Sequence, residues 1–246
     1  MATSSPLLPD GMRALIVTHD VDWPRHGPGV AHVLARKNRF DEDIISKVMN
    51  EGFNPYYGVP TITEIEERFD IRSTFFFRPE YDDGSNVQQY ADTIKALERT
   101  MGKPVFGSRV HYMKVTASTF ANLAKAQIKY DSSLTFDKER IDPRNTGCLL
   151  ESGLVVFPIT FMDAYLFSYM GLTEKTVTKF VLKTMDELFA SGVQMLTLLW
   201  HDNSIMMKGG RAYSGLMEKL AENSDVTFLK GIDAFELVQR AGGKHG

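Results

Sequence analysis

The chain has 246 residues, 43% of them hydrophobic and 24% charged, with a formal net charge of −3. That is enough to bury a substantial core, in one large α/β unit or two small ones, while a nucleic-acid binder would carry a basic excess that is missing. Cys148 is the only cysteine, which excludes a disulfide framework and a cysteine-based zinc site. No apolar stretch approaches the length a bilayer demands, and Met1 to Gly11 lacks a basic region followed by an apolar run. The expectation is a cytoplasmic protein with no membrane partner.

In chain order, residues 13–20 form a short apolar run that closes on Thr18-His-Asp20. A buried parallel strand reads this way when its C-terminal end opens onto a site. A long polar connection to about Pro60 follows, with 41–51 helical in pattern. Thr61 and Glu64 have capping-box spacing, which predicts a helix from there to about Phe69. Residues 73–77, dense in Phe, form a second buried strand. Asp83-Gly84 signals a turn, and 87–100 is an amphipathic helix. A short strand over 104–107 leads into Ser108-Arg-Val-His-Tyr112. Helix 116–126 and strand 128–130 come before Asp131. Strand 154–159 and the long helix 173–191 follow. Strand 195–200 ends on His201-Asp-Asn203. Helix 213–222, strand 226–229 and helix 232–241 close the chain. Seven strands alternating with helices are too many for two small domains. They imply a single unit over 1–246: a mostly parallel sheet, helices outside, bent into a distorted barrel.

Active sites of parallel α/β barrels sit at the C-terminal ends of the strands. The first strand ends on Thr18-His-Asp-Val-Asp22 and the third on Arg109, His111 and Tyr112. Asp131-Ser132-Ser133, Asp163 and His201 to Asn203 stand at later strand ends. Asp20 and Asp22 are the sharpest feature, because two carboxylates so close repel unless a cation or a shared proton intervenes. One would hold a divalent metal and the other act as general base; the plain alternative is that one caps a turn. His201 reads as a general acid, or as a half-buried ring satisfied by a backbone carbonyl. His111 is open between metal ligand, substrate contact and structural donor. Arg109 either holds a nearby carboxylate in a bidentate pair or is a surface charge. On a strand, His19 points away from Asp20 and reads as packing or support. His26, His32 and His245 lie in polar segments and read as solvated, and Phe75 to Phe77 as core.

These strand ends resemble the polysaccharide deacetylase family, also called the NodB-homology or carbohydrate esterase family four group. Thr18-His-Asp-Val-Asp22 is similar to its first motif, and Ser73-Thr-Phe-Phe-Phe77 to the strand before its second. Gly107 to Tyr112 is similar to the third, with Tyr130-Asp-Ser-Ser133 downstream. Phe157 to Asp163 and Leu198-Leu-Trp-His201 resemble the fourth and fifth. The order agrees along nearly the whole chain. The resemblance implies a distorted barrel of about seven β/α units and metal-dependent removal of an acetyl group from a sugar. It implies Asp20 as base, Asp22 as metal ligand, Arg109 orienting Asp20, the Tyr112 backbone in an oxyanion hole and His201 as general acid.

The chain departs from the family at the second motif. The His-x-x-x-His pair that supplies two metal ligands is missing, for residues 78–103 contain no histidine. Asp22 remains, with His111 or His201 as further donors, and Glu80, Asp82 or Asp83 would suit a harder cation. Zinc is one candidate ion. Three functions follow: a hydrolase of an acetylated sugar or related amide, an amidohydrolase of cyclic ureides as in allantoinase-like relatives, or a non-catalytic barrel that binds carbohydrate or a partner protein.

Overall fold

The computed structural model describes residues 8–9, 11–23, 26–77 and 87–242, the side chains of 87–90 and 242 excepted. Its strands are β1 (Ala14–Val21), β2 (Thr74–Phe77), β3 (Gly107–Ser108), β4 (Tyr130–Asp131), β5 (Leu149–Glu151), β6 (Leu154–Val156), β7 (Phe161–Met162), β8 (Met195–Leu199) and β9 (Thr227–Leu229). Its helices are α1 (Val30–Leu34), α2 (Glu42–Glu51), α3 (Val59–Arg68), α4 (Val87–Met101), α5 (Thr119–Lys125), α6 (Asp163–Ser168), α7 (Glu174–Ala190), α8 (Ala212–Ala221) and α9 (Gly231–Gly242).

β1 is the axis of the fold. On one side β8 runs parallel to it, from Ala14 opposite Met195 to Thr18 opposite Leu199. The other side is shared: β9 flanks Ala14–Ile16 and β2 flanks Thr18–Val21. β7 extends the sheet beyond β8. A second sheet runs β3-β4-β6-β5, parallel except for the β5–β6 hairpin. The chain passes from one sheet to the other over Phe157 to Thr160. Phe157 N–H still reaches the Asp131 carbonyl, and Thr160 N–H already reaches that of Thr197. Pro158 between them has no N–H to give a ladder, so the strand expected over 154–159 stops at Val156. Among the described residues no ladder joins β2 to β3. A cavity of about 210 Å³ lies along that seam, lined by Phe76, Phe77, Leu97, Phe106 and Tyr130 among others. The result is a distorted barrel whose strands run parallel except in the β5–β6 hairpin, as the sequence pattern implies.

All eight residues of β1 are buried, and alternation sorts them. Leu15 and Val17 pack outward against Ile62 and Ile65 of α3, Val177 and Val181 of α7, and Leu216 of α8. Ala14 and Ile16 pack inward with Tyr130, Val155, Phe157 and Val238 of α9. Each such side chain taken from water is worth roughly 1.5–3 kcal/mol for Val, Leu or Ile. The inward row continues into Thr18 and Asp20, so one strand changes from apolar floor to polar mouth along its length.

Some boundaries differ from the sequence expectation. Helix α3 begins at Val59, not at the Thr61–Glu64 spacing, because Pro60 suits the first turn and Gly58 packs against the Asp202 backbone. A Cβ on Gly58 would lie 2.2 Å from the Asp202 carbonyl oxygen. The strand expected over 104–107 is confined to Gly107–Ser108. His32 is not simply solvated: its ring sits edge-on to Trp23 and Tyr56 at 5.3 and 5.4 Å. Glu80, Asp82, Asp83 and His245 lie outside the described residues. No described helix is long and apolar enough to cross a membrane.

Candidate active site

Residues of β1, β2 and the end of β4 meet at Arg109. It follows β3 directly and its side chain is 1% exposed. Nη1 donates to Asp20 Oδ1 at 2.8 Å. Nη2 donates to Thr18 Oγ1 at 2.9 Å and to Ser132 Oγ at 2.8 Å, and Nε donates to the Ser132 carbonyl at 2.7 Å. The accepting hydroxyls pass their own hydrogens on, Thr18 to the Leu198 carbonyl and Ser132 to that of Phe157. The guanidinium plane lies 4.5 Å from the Phe76 ring centroid. A buried charge is tolerated when it is paired and hydrogen-bonded, and this one is paired with Asp20 and has four of its five N–H groups bonded. Arg109 is a buried clamp, not a surface charge. Below it Asp131, fully buried, accepts from Ser108, from the Ser133 hydroxyl and from the Ser133 N–H. Burial raises its pKa against those bonds. The Tyr-Asp-Ser-Ser segment is thus a girder beneath the mouth.

His201 faces Asp20 from the end of β8, with Nε2 3.9 Å from Asp20 Oδ2. Nδ1 donates to Asp163 Oδ1 at 2.6 Å. The other Asp163 oxygen accepts from the His201 backbone N–H at 3.1 Å and from the Ser204 hydroxyl. Burial works against a charged ring here, but the Asp163 carboxylate, with Asp20 and Asp22 beyond it, outweighs burial and raises the His201 pKa to about 10. His201 is therefore an imidazolium at neutral pH. Asp163 was visible in the sequence only as a polar residue past a strand. What gives it a part is the short β7, which ends on it beside β8.

Asp22 and His111 meet, Nδ1 to Oδ1 at 3.3 Å, and Asn203 Nδ2 donates to the other Asp22 oxygen at 2.9 Å. A hydrogen on Nδ1 shared with Asp22 leaves the lone pair on Nε2, which is buried without a hydrogen-bond partner among the described residues. Asp22 and His111 are thus turned toward each other. Among the described residues no three His, Cys, Asp or Glu side chains gather as a metal site. Zinc takes three or more protein ligands, so among the described residues Asp22 and His111 would supply two donors and do not by themselves complete a zinc set.

Asp202, next to His201, is fully buried and receives the Gly58 N–H at 3.3 Å. Burial is the main reason its pKa rises, to about 7, and the Asp22 charge adds to it. Tyr112 stands apart, 71% exposed, its ring centroid 3.8 Å from that of His111. Tyr112 and Met113 both have positive φ, 57° and 54°. Left-handed backbone at two successive non-glycine residues is strained and is often found where a turn serves a site.

No protein-family model and no curated protein matches the sequence. Solved structures do match. A polysaccharide deacetylase from Mycobacterium smegmatis aligns with a TM-score of 0.69 at 18% identity, over 100% of this chain and 96% of its own. PuuE allantoinase aligns at 0.67 and 14%, over 97% of this chain and 94% of its own. A polysaccharide deacetylase from Pseudomonas aeruginosa PAO1 aligns at 0.64 and 14%, over 96% and 94%. At such identities the likeness establishes the fold: this chain has the barrel of these deacetylases and of the allantoinase.

Proposed function

We propose that the protein hydrolyses a carbon–nitrogen acyl bond, in an N-acetylated sugar or a related cyclic amide. The observation that carries this reading is the pair Asp20 and His201, facing each other at 3.9 Å. Each is anchored from behind by a buried partner of opposite charge, Arg109 and Asp163. A purely structural barrel has no use for such a pair at its mouth, where two acid–base groups of opposite charge suit acyl transfer to water. Asp20 takes a proton from water as its oxygen bonds to the carbonyl carbon. His201 gives its proton to the nitrogen as the C–N bond breaks. A ring held near 10 is well matched to a departing amine. The Tyr112 backbone N–H, on its strained turn, is the donor we assign to the oxyanion. Two solved structures of this fold carry the names putative and probable polysaccharide deacetylase and a third is named an allantoinase, which supports the bond class.

A second reading, a non-catalytic barrel that binds carbohydrate, is favoured by one observation: the described donors do not complete a metal set. The test is turnover of N-acetylchitooligosaccharides and of allantoin by purified protein, with metal content measured alongside. Turnover that drops at least 100-fold in both Asp20→Asn and His201→Gln supports the hydrolase. Turnover unchanged in either variant overturns these roles. Binding of the oligosaccharides without turnover establishes the second reading.

A further inference from the structure

The outward face of the same two strands carries a second polar cluster with no part in the reaction above. His19 is fully buried. Its Nδ1 lies 2.7 Å from the Trp200 carbonyl and its Nε2 2.8 Å from Glu66 Oε1. Glu66, from α3, is 5% exposed. Its Oε1 also receives the Tyr213 hydroxyl of α8 at 2.6 Å, and its Oε2 the Ser73 hydroxyl at 2.6 Å. The Phe75 ring of β2 lies 4.9 Å from the imidazole, centroid to centroid, and Tyr213 is edge-on at 5.5 Å.

The hydrogen-bond partners constrain where the hydrogens sit. A backbone carbonyl only accepts, so Nδ1 carries a hydrogen. Glu66 accepts two hydroxyl hydrogens, and one hydrogen lies between its Oε1 and His19 Nε2; the two accepted hydroxyls are the arrangement of a carboxylate and favour that hydrogen on the nitrogen. The Tyr213 hydroxyl stays a donor: burial first, and the Glu66 charge second, hold it well above the ordinary tyrosine range. Both ring nitrogens are then occupied. The buried pair is neutral as a whole, the condition under which buried charges persist.

The contact to Trp200 gives this cation a task. The β1–β8 ladder ends at Thr18 opposite Leu199, and one further bond runs from Trp200 N–H to the Thr18 carbonyl at 3.0 Å. The Trp200 carbonyl points past the ladder and is taken by His19. Trp200 is therefore held from β1 through both its N–H and its carbonyl, and the peptide that joins it to His201 is held by His19 at the carbonyl and by Asp163 at the His201 N–H.

We infer that His19 is a doubly protonated positioning residue, paired with Glu66, that fixes the peptide before His201 and so aims the His201 ring at Asp20. The positioning of a reactive group rests on the hydrolase reading; the protonation and the grip do not. The test is nitrogen-resolved NMR of the histidine rings in the full-length protein. In wild type, His19 shows hydrogens on both ring nitrogens at neutral pH. In Glu66→Gln, His19 loses one of them at neutral pH, and the His201 Nδ1–H signal, bonded to Asp163, shifts. A bare nitrogen on wild-type His19 at neutral pH overturns the inference, and that spectrum decides even where the variant fails to fold. A folded Glu66→Gln protein whose His201 signals stay in place overturns the positioning. Turnover assays report on the hydrolase reading separately, so the two fail distinguishably.

Discussion

Replacing Asp163 by Asn tests the central pair most directly. The carboxylate is 2% exposed and accepts from His201 Nδ1, His201 N–H, Ser204 Oγ and Ala164 N–H. Asparagine removes the charge and turns an NH₂ group toward donors. His201 then keeps the burial that disfavours its cation and loses its nearest support, so its pKa falls from about 10 toward the ordinary range, with only Asp20 and Asp22 left to raise it. The sign in wild type follows from the raised value. Stability contributed by the imidazolium is fully present below pH 6.5 and is lost as pH rises through 10. Taken at face value, the shift from 6.5 to about 10 is worth roughly 4 kcal/mol at pH 7, an upper figure because nearby carboxylates share it. Urea unfolding from pH 6 to 10 is the assay. Wild type should lose about 2–4 kcal/mol across that window, and Asp163→Asn should start about that much lower at pH 6 and change little. Its hydrolytic turnover should fall roughly 100-fold or more at pH 8, where the ring has no proton to give. A wild-type stability flat between pH 7 and 10, or a His201 resonance in Asp163→Asn still titrating near 10, refutes the reasoning.

Arg109→Lys keeps the charge but not the fork that reaches Asp20, Thr18 and Ser132 together; we expect a loss of about 2–3 kcal/mol in denaturant unfolding, the sum of two or three buried bonds, and a clear fall in turnover. Asp202→Asn removes a carboxyl whose folded pKa of about 7 exceeds its ordinary 3.8. Here the unfolded chain releases its proton first, so the penalty grows from pH 4 and levels off above 7; the variant should gain on wild type by up to about 4 kcal/mol over that range, and an equal difference at pH 4 and pH 8 would contradict the assignment. Gly58→Ala places a methyl 2.2 Å from the Asp202 carbonyl oxygen and 2.3 Å from Ile205 Cγ2; thermal unfolding should show a loss of at least 1–3 kcal/mol.

Much of this protein is legible one segment at a time. The apolar run before Asp20, the Phe-rich 73–77 and the run 195–200 each announce a buried strand, because a strand covered on both faces has no polar alternation to confuse the reading. Helices 87–101 and 174–190 announce themselves by their period. Once the alternation implies a parallel barrel, the strand ends are where the chemistry belongs, so Asp20, Asp22, Arg109, His111 and His201 could be picked out without coordinates. What local pattern could not supply was partnership. Asp163 holds His201 across 38 residues, Asp20 meets Arg109 across 89 and Asn203 meets Asp22 across 181. Such distances along the chain are closed only when β1, β3, β7 and β8 align their ends. Asp22 and His111 read as two donors for one ion; the fold brings them to 3.3 Å, an approach that spacing alone cannot supply. His19 gives the clearest division. Strand alternation placed it on the far side of Asp20 and so out of the mouth. Only the packing of α3 and α8 against that side brought Glu66 and Tyr213 to it, because a buried imidazole must find partners for both nitrogens, and those partners belong to whichever elements the core presses there.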